Sequence, residues 1–560
     1  MPLRTKYIFV SGGVLSGVGK GTVTASLALL LKSHGYRVTV VKCENYLNLD
    51  AGLINPIEHG DPFLCEDGAE TDMDIGTYEK FLNQNLGLDN FITMGQIYHQ
   101  VINQERNFFY RGEDVEAIPH VTDEIIRRIH VAADKDEAEI CVVELGGTAG
   151  EYQNALYYEA ARLMTAVNQT TVIHVHVSYL PTPPHLGEPK TKPTQLSVKT
   201  LNSMGIQPNF IVARSTARLD QRRRQRFSLF CSVTPSHIID APDLSSVYEL
   251  PLILADQNFD QLLLKDMGLR AKPRQMSAWK SLVKKIQSPK KGQVKIAIVG
   301  KYFATGAYHL RDAYAALYDA LDHATLFHDL TLEVIGLDSH KETDLPAQLK
   351  VADGIIVPIG WGPRGVPGKL AAIQYAREHQ VPYLGLCFGM QLAVVEFARH
   401  LLNLKTAHST EIDPHTQDPV IHSIPFDPKY QRIKGDGTSM RLGSYDCLVK
   451  PKTLTYQIYA KHHGFINPAK GLVAERHRHR YEVNNTYRQT LATAGLVFSG
   501  VSPDNFFVEM IELPPKIHPF FIGTQGHPEY KSRPLKPHPL FLEFIRAAYL
   551  HHHQGRLAKT

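Results

Sequence analysis

The stretch Leu384-Gly385-Leu386-Cys387-Phe388-Gly389-Met390-Gln391 decides how this chain reads. Residues 381–386 are apolar and of strand length, and from Gly389 onward the apolar positions Leu392, Val395 and Phe397 fall at helical spacing. Cys387 therefore sits on a strand-to-helix elbow, a turn that exposes a nucleophile where the first helical amides favour a thiolate. Gly385 and Gly389 permit the sharp backbone and close packing such a turn demands. Working outward, His527-Pro528-Glu529 follows 140 positions later. The proline biases His527 toward extended backbone, which puts His527 and Glu529 on one side of the chain. A lone cysteine is most simply a small buried hydrophobe. Cysteine, histidine base and orienting carboxylate together form a complete set for covalent catalysis.

These residues resemble the class I (triad) glutamine amidotransferases. The resemblance implies that Cys387 attacks the glutamine side-chain amide and releases ammonia, with His527 and Glu529 completing the triad. It assigns the oxyanion-binding amides to Gly360 and Phe388 and the remaining glutamine contacts to Gly389, Met390, Gln391, Glu411 and Arg478. One departure is Pro358-Ile359-Gly360-Trp361-Gly362 in place of Pro-Gly-Gly-Phe-Gly. A left-handed backbone at Ile359 would cost about 1–2 kcal/mol. Gly360 remains, which leaves the oxyanion hole intact.

Composition bounds the rest. A chain of 560 residues exceeds one hydrophobic core and implies two or three domains. With 43% hydrophobic and 21% charged residues it reads as an ordinary soluble globular protein. A net charge of +4 is nearly neutral at this length and argues against a nucleic-acid partner. The six cysteines show no C-x-x-C spacing, so neither a zinc site nor a disulfide framework is expected. Before the first glycine loop only residues 7–10 form an apolar run, too short for a signal or membrane segment; no membrane association and a cytoplasmic location follow. His551 to His553 close a polar C-terminal tail, expected to be solvated or disordered.

Strand and helix patterns alternate along the chain. A strand (7–10), a glycine-rich loop (12–21), a helix (22–33) and a strand (38–42) are followed by strands at 140–144 and 171–177. A break at Ser288-Pro289-Lys290-Lys291-Gly292 precedes a second start at residue 294, with later strands at 354–357 and 381–386. The expected fold class is α/β, with two doubly wound parallel-sheet domains: 1–272, a linker at 273–292, a second domain over 293–553 and a tail over 554–560.

Three groups of residues in the first half carry phosphate chemistry. The loop Gly12 to Thr22 joins strand to helix, so its amides and Lys20 suit a polyphosphate, although the strict G-x-x-x-x-G-K-[ST] pattern is not met. Asp74, in the acidic stretch from Glu66, and Glu144, which ends an apolar strand, suit Mg²⁺ held by one or two carboxylates beside phosphate oxygens. Lys190 and Lys192 in Lys-Thr-Lys-Pro-Thr-Gln, with Arg222-Arg223-Arg224-Gln225-Arg226, offer a second polyphosphate clamp. Taken singly, acidic and basic runs are more often solvated faces.

The glutaminase behind this phosphate-binding half resembles the CTP synthase family over essentially the whole chain. The resemblance is carried by Ser11-Gly12-Gly13-Val14, Glu66 to Asp74, Ile118-Pro119-His120, Glu144 to Thr148, Lys190 to Gln195, Met440 to Gly443 and Glu475 to Asn484. It implies that ATP phosphorylates O4 of UTP and that ammonia from glutamine, passed internally, displaces the phosphate to give CTP. Position by position it assigns ATP to Gly17, Val18, Gly19, Lys20, Gly21, Thr22, Lys42, Asp74, Pro242, Asp243 and Leu244, and Mg²⁺ to Asp74 and Glu144. UTP, or CTP as feedback inhibitor, falls to Ser16, Glu151, Tyr152, Gln153, Lys190, Thr191, Lys192, Pro193, Thr194, Gln195 and Arg226. GTP activation, associated with Arg364, and a homotetramer are further implications.

Departures cluster in the synthase half. Glu116 replaces a glutamine, Gln153 a glutamate and Arg226 a lysine; Lys42-Cys43-Glu44-Asn45-Tyr46 replaces Lys-x-Asp-Pro-Tyr; residues 107–112 depart from Gly-x-Tyr-x-Gly. Two other readings therefore stand beside a CTP synthase. One is an ATP-dependent amidotransferase with another acceptor, such as the cobyrinate amidases, which lack the Lys-Thr-Lys-Pro-Thr-Gln clamp. The other is a catalytically idle, filament-forming member, which would have no use for two intact reactive constellations.

Overall fold

The apolar run at residues 7–10 is the middle of β1 (Lys6–Gly13), the strand around which the first half is organised. The computed structural model describes the chain except residues 1–4, 57–59, 168–171, 184, 186, 217, 304–310, 341–344, 426–438 and 558–560. With β2 (Val38–Glu44), β3 (Phe91–Thr93), β4 (Ile140–Leu145), β5 (Val172–Tyr179), β6 (Phe210–Ser215) and β7 (Ile238–Pro242), β1 forms a seven-stranded sheet in the order β3-β2-β4-β1-β5-β6-β7. Every pairing in it is parallel, with Tyr7 opposite both Cys141 and Val172. The central strands are buried along nearly their whole length, as a parallel sheet covered on both faces requires. Strand order reverses at β1, so the loops leaving β1, β2 and β4 open at one crevice beyond their carboxyl ends.

The second sheet has nine strands. β8 (Gly292–Gly300), β9 (Leu330–Asp338), β10 (Gly354–Val357), β11 (Tyr383–Leu386), β12 (Arg441–Val449), β13 (Leu472–His479), β14 (Val497–Val501), β15 (Val508–Glu512) and β16 (Phe521–Thr524) lie in the order β9-β8-β10-β11-β16-β15-β14-β12-β13. The first five are parallel, as expected; β15, β14, β12 and β13 extend the sheet antiparallel. β11 and β16 are neighbours, with Leu386 opposite Thr524, and this pairing carries the elbow to the segment that holds His527.

The domain boundaries differ from those expected. One compact unit comprises residues 1–52 and 74–286, and the other residues 53–73 and 287–560. Residues 53–73 leave the first unit because their charges are neutralised in the second. Arg476 donates to the Leu64 carbonyl at 2.7 Å, pairs with Glu66 at 3.2 Å and lies over the Phe63 ring; Arg478 binds Glu70 at 2.6 Å. Of the acidic run from Glu66, Asp74, the residue expected to serve a metal, stays in the first unit, while Glu66 and Glu70 are engaged by arginines of the second.

The expected linker at 273–292 contains the helix Ser277–Gln287. Its Trp279 is buried against Phe81 and Tyr248 and donates its indole N–H to the Tyr248 carbonyl at 2.8 Å. Only the stretch from Ser288 to β8 remains as connection. The polar tail is also corrected: the last helix, Pro539–Leu557, runs through His551 to His553, and His552 Nδ1 meets Asp353 Oδ1 at 2.8 Å. Residues 558–560 of that expected tail lie outside the described residues. All six cysteines are buried free thiols. Among the described residues no helix is long and apolar enough to cross a membrane.

Candidate active site

The elbow between β11 and the helix Phe388–Leu401 holds Cys387 at φ 51°, ψ −101°, a strained conformation for a residue with a side chain. Steric necessity surrounds it. A Cβ on Gly385 would sit 2.9 Å from the Gly389 carbonyl carbon, and one on Gly389 would strike the Val357 carbonyl. The Cys387 amide donates to Thr524 O at 2.7 Å, tying the elbow to β16. Its sulfur lies 3.8 Å from the Arg478 carbonyl and 3.5 Å from the Gln525 amide nitrogen.

His527 follows β16, its amide bonded to the Arg476 carbonyl at 2.7 Å. Its Nδ1 meets Glu529 Oε1 at 2.7 Å, so Nδ1 carries a proton toward the carboxylate and Nε2 is the atom left to exchange a proton with Cys387. That Nε2 is buried without a hydrogen-bond partner of ordinary length and interacts with Cys387. Extended backbone is not what joins His527 to Glu529: after His527 the chain turns into the 3₁₀ helix Pro528–Lys531, and the turn brings the carboxylate back. Burial pulls the imidazole pKa down, but Glu529 and Cys387 outweigh it and raise the value to about 10.

A small pocket beside the sulfur is lined by Trp361, Cys387, Phe388, Gln391, Glu411, His479, Arg480 and Tyr481. Gln391 is fixed by bonds from its amide to the Tyr481 carbonyl at 2.8 Å and Gln525 Oε1 at 3.1 Å. Glu411 accepts the Gly362 N–H at 2.7 Å; burial holds its carboxyl above the usual range. Ile359 has negative φ, so the strain considered for it does not arise. Of the expected glutamine contacts, Met390 is fully buried in the core and offers only backbone. Arg478 spends its guanidinium on Glu70 and the Trp361 ring and turns its carbonyl toward Cys387.

In the first unit, the loop after β1 ends at Gly19, φ 89°, which caps the helix Lys20–Ser33. Lys20 is buried and donates to Gly147 O at 2.8 Å; burial lowers its pKa. Lys42 Nζ is surrounded by Glu144 Oε1 at 2.8 Å, Glu44 Oε1 at 3.0 Å and Asp74 Oδ2. Burial opposes the charge on Lys42, yet these carboxylates hold its pKa well above the usual value. A Cβ on Gly21 would collide with Asp74 Oδ1 and stand 3.8 Å from Glu144 Oε2, so the helix start and both carboxylates share one place. Two carboxylates converging beside a phosphate-type loop fit Mg²⁺, whose remaining ligands are ordinarily phosphate oxygens and water.

The other expected nucleotide residues are distributed around this cluster. Pro242 O accepts from Arg214 at 3.0 Å and Asp243 pairs with it at 3.3 Å, while Arg214 Nε stands 3.5 Å from where a Cβ of Gly19 would be; Leu244 follows directly. Thr191 caps the helix Lys192–Ser203, in which Thr194 bonds Ser178 at the end of β5; Lys190 pairs with Glu188. Glu151 accepts from Thr148 N at 2.8 Å. Ser16, Tyr152, Gln153 and Arg226 are exposed and take no part in the buried cluster. Sequence reasoning passed over Arg214, Tyr78, which donates to Glu144 at 2.5 Å, and Gln525. Arg214, a charge ending an apolar strand, carried the same signal that singled out Glu144.

With this geometry in view, the comparisons are informative. A family model described as the CTP synthase N-terminus matches residues 6–269, and one described as class-I glutamine amidotransferase matches residues 309–547. The chain is 45% identical over 546 residues to a CTP synthase of Caldanaerobacter subterraneus subsp. tengcongensis, covering 97% of this chain and 98% of that one. It is 45% identical over 548 residues to a CTP synthase of Rubrobacter xylanophilus, covering 97% and 95%. A solved glutaminase domain of Trypanosoma brucei CTPS with bound acivicin is 34% identical, spans 46% of this chain and 94% of that one, and gives a TM-score of 0.40.

Proposed function

The chain belongs to the CTP synthase family, and from that premise we propose that it aminates UTP to CTP, consuming ATP and taking nitrogen from glutamine or free ammonia. The observation that carries the reading is the coexistence of two intact reactive sets: the Cys387–His527–Glu529 triad and the Lys20–Lys42–Asp74–Glu144 cluster.

In the second unit His527 Nε2 holds the proton taken from Cys387, and the sulfur attacks the glutamine side-chain carbonyl carbon as its thiolate. The amides of Gly360 and Phe388 receive the oxyanion, which they stabilise more than the ground-state carbonyl. The imidazolium returns its proton to the departing nitrogen, and water then hydrolyses the thioester through the same base. Gln391 and Glu411 shape the pocket for the glutamine amino-acid end.

In the first unit the loop from Gly17 to Thr22 and Lys20 hold the ATP phosphates, with Arg214, Pro242, Asp243 and Leu244 toward the adenosine end. Mg²⁺, held by Asp74 and Glu144, would neutralise phosphate charge during transfer. Lys42 places a positive charge beside the transferred group. Ser16, Glu151 to Gln153, Lys190 to Gln195 and Arg226 serve UTP, and CTP as its product inhibitor. Phosphorylation of O4 turns a poor leaving group into phosphate, which ammonia then displaces. GTP activation through Arg364, assembly as a homotetramer and a cytoplasmic location complete the proposal.

The test is CTP formation from UTP, ATP, Mg²⁺ and ammonium without glutamine, with phosphate release followed in parallel. CTP and phosphate in equal amounts are expected. Glutamine hydrolysis in a separate assay with no CTP from ammonium would point to an acceptor other than UTP and overturn the proposal.

A further inference from the structure

Lys369 is fully buried on the helix Val366–Glu378, yet the triad chemistry gives it no task. An ammonium has three protons to donate. Here it has one distant acceptor, the Pro358 carbonyl at 3.5 Å, and the face of the Phe388 ring, 4.9 Å away. No carboxylate lies within ion-pair distance of it among the described residues. Burying a charge on such terms costs several kcal/mol, so its location calls for a compensating role.

That location is specific. A Cβ built on Gly360 would lie 2.6 Å from Lys369 Nζ, so the ammonium rests against the backbone of one oxyanion residue. Through the Phe388 ring it also adjoins the other. A second ammonium follows from Lys301, next after β8: its Nζ donates to the Trp361 carbonyl, and its side chain comes 3.4 Å from the same Gly360 Cβ position. Arg364 donates to the Lys301 carbonyl at 2.9 Å. Facing these three cations are Glu411 and Cys387. Burial first, then Lys301, brings the Lys369 pKa down to about 7, with Glu411 and Cys387 opposing; burial and Arg364 bring Lys301 to about 8.

We propose that Lys369 is a positioning residue of the glutaminase reaction: lodged behind Gly360 and Phe388, it holds the oxyanion segment in place and supplies positive potential that stabilises negative charge developing at Cys387 and on the amide oxygen. The inference rests on the triad reading. A field of this kind strengthens as charge develops and adds little to binding of neutral glutamine, so it raises kcat and leaves KM unchanged.

The experiment compares glutamine hydrolysis by the full-length wild type, Lys369→Met and Cys387→Ala. Loss of hydrolysis in Cys387→Ala establishes the triad independently, and its persistence would sink the triad reading itself. Given that loss, Lys369→Met, which keeps an unbranched side chain one atom shorter and removes the charge, should lower kcat about 20-fold or more with the glutamine KM within about twofold. A kcat within about twofold of wild type overturns the proposal. Should Lys369→Met also lose glutamine binding and melt early, Lys301→Met decides: lower kcat at unchanged KM supports the cationic role, and an unchanged kcat overturns it.

Discussion

Arg478 Nε donates to Glu70 Oε1 across 2.6 Å, both side chains buried, and the carbonyl of the same arginine stands 3.8 Å from the Cys387 sulfur. A hairpin from the first fifth of the chain is thereby locked to strand β13 directly beneath the nucleophile. Breaking a buried pair costs up to about 3–5 kcal/mol, and here Asp61, 3.9 Å from the Arg478 guanidinium, keeps the loss below that ceiling. Glu70→Ala should lower the unfolding free energy of the second unit, read by urea titration, by an amount under that ceiling and reduce glutamine hydrolysis with it; Glu70→Gln, which keeps an acceptor, should lose less. Unaltered unfolding in Glu70→Ala would show that the pair contributes nothing.

Cys387→Ala is expected to lower glutamine-dependent CTP formation by roughly 10⁴-fold or more while leaving ammonia-dependent formation near wild type. The two activities draw on different units, since Cys387 belongs to residues 287–560 and Lys20 to residues 1–52. Parallel assays with glutamine and with ammonium chloride check it, and equal loss in both would contradict the division of labour.

The elbow was legible because its chemistry is local: an apolar run, a cysteine with a glycine two positions away on either side and a helical spacing lie within about a dozen positions. The same holds for β1 and its loop. What escaped was long-range. Nothing near Glu66 or Glu70 announces that they answer Arg476 and Arg478, some 400 positions on, so the acidic run read as a single stretch and the first domain as continuous. The helix Ser277–Gln287 escaped because the turn signals at Ser288-Pro289 drew the boundary too wide. The turn that carries Glu529 back to His527 escaped because Pro528 fixes only its own φ and biases its predecessor, and leaves the next residues free to coil.

His527 also sets a pH dependence of stability. Its pKa rises from an ordinary 6.5 to about 10 in the folded state, against the burial that lowers it and because of Glu529 and Cys387. A group that binds its proton more tightly when folded contributes fully below the unfolded value and loses that contribution as pH climbs through the folded one. The difference in unfolding free energy between wild type and Glu529→Gln should therefore be widest below pH 6.5 and close toward pH 10. A gap constant across that window, measured by urea titration, would contradict the charged pair.

Lys20→Ala should abolish CTP formation from either nitrogen source while Cys387-dependent glutamine hydrolysis persists, because its ammonium sits among the phosphate-loop groups and not in the second unit. Chelation of divalent metal should do the same, since Asp74 and Glu144 converge beside the phosphate loop as the carboxylates suited to hold it. Retained ammonia-dependent synthesis in Lys20→Ala would exclude its phosphate role.

Glu116 offers the sharpest test of the altered pyrimidine site. Its backbone N–H is held by His120 Nδ1 at 3.0 Å and its side chain is exposed, so exchange for glutamine changes the side-chain terminus and leaves the local backbone anchored. An ionised carboxylate only accepts hydrogen bonds, whereas a glutamine amide also donates, and it carries no charge to repel a nucleoside triphosphate. A neutral hydrogen bond contributes about 1 kcal/mol, equivalent to about fivefold in affinity. Glu116→Gln should therefore lower the UTP KM and strengthen CTP inhibition by that order, with the glutaminase rate unmoved. If neither constant shifts in steady-state assays, position 116 takes no part in pyrimidine binding.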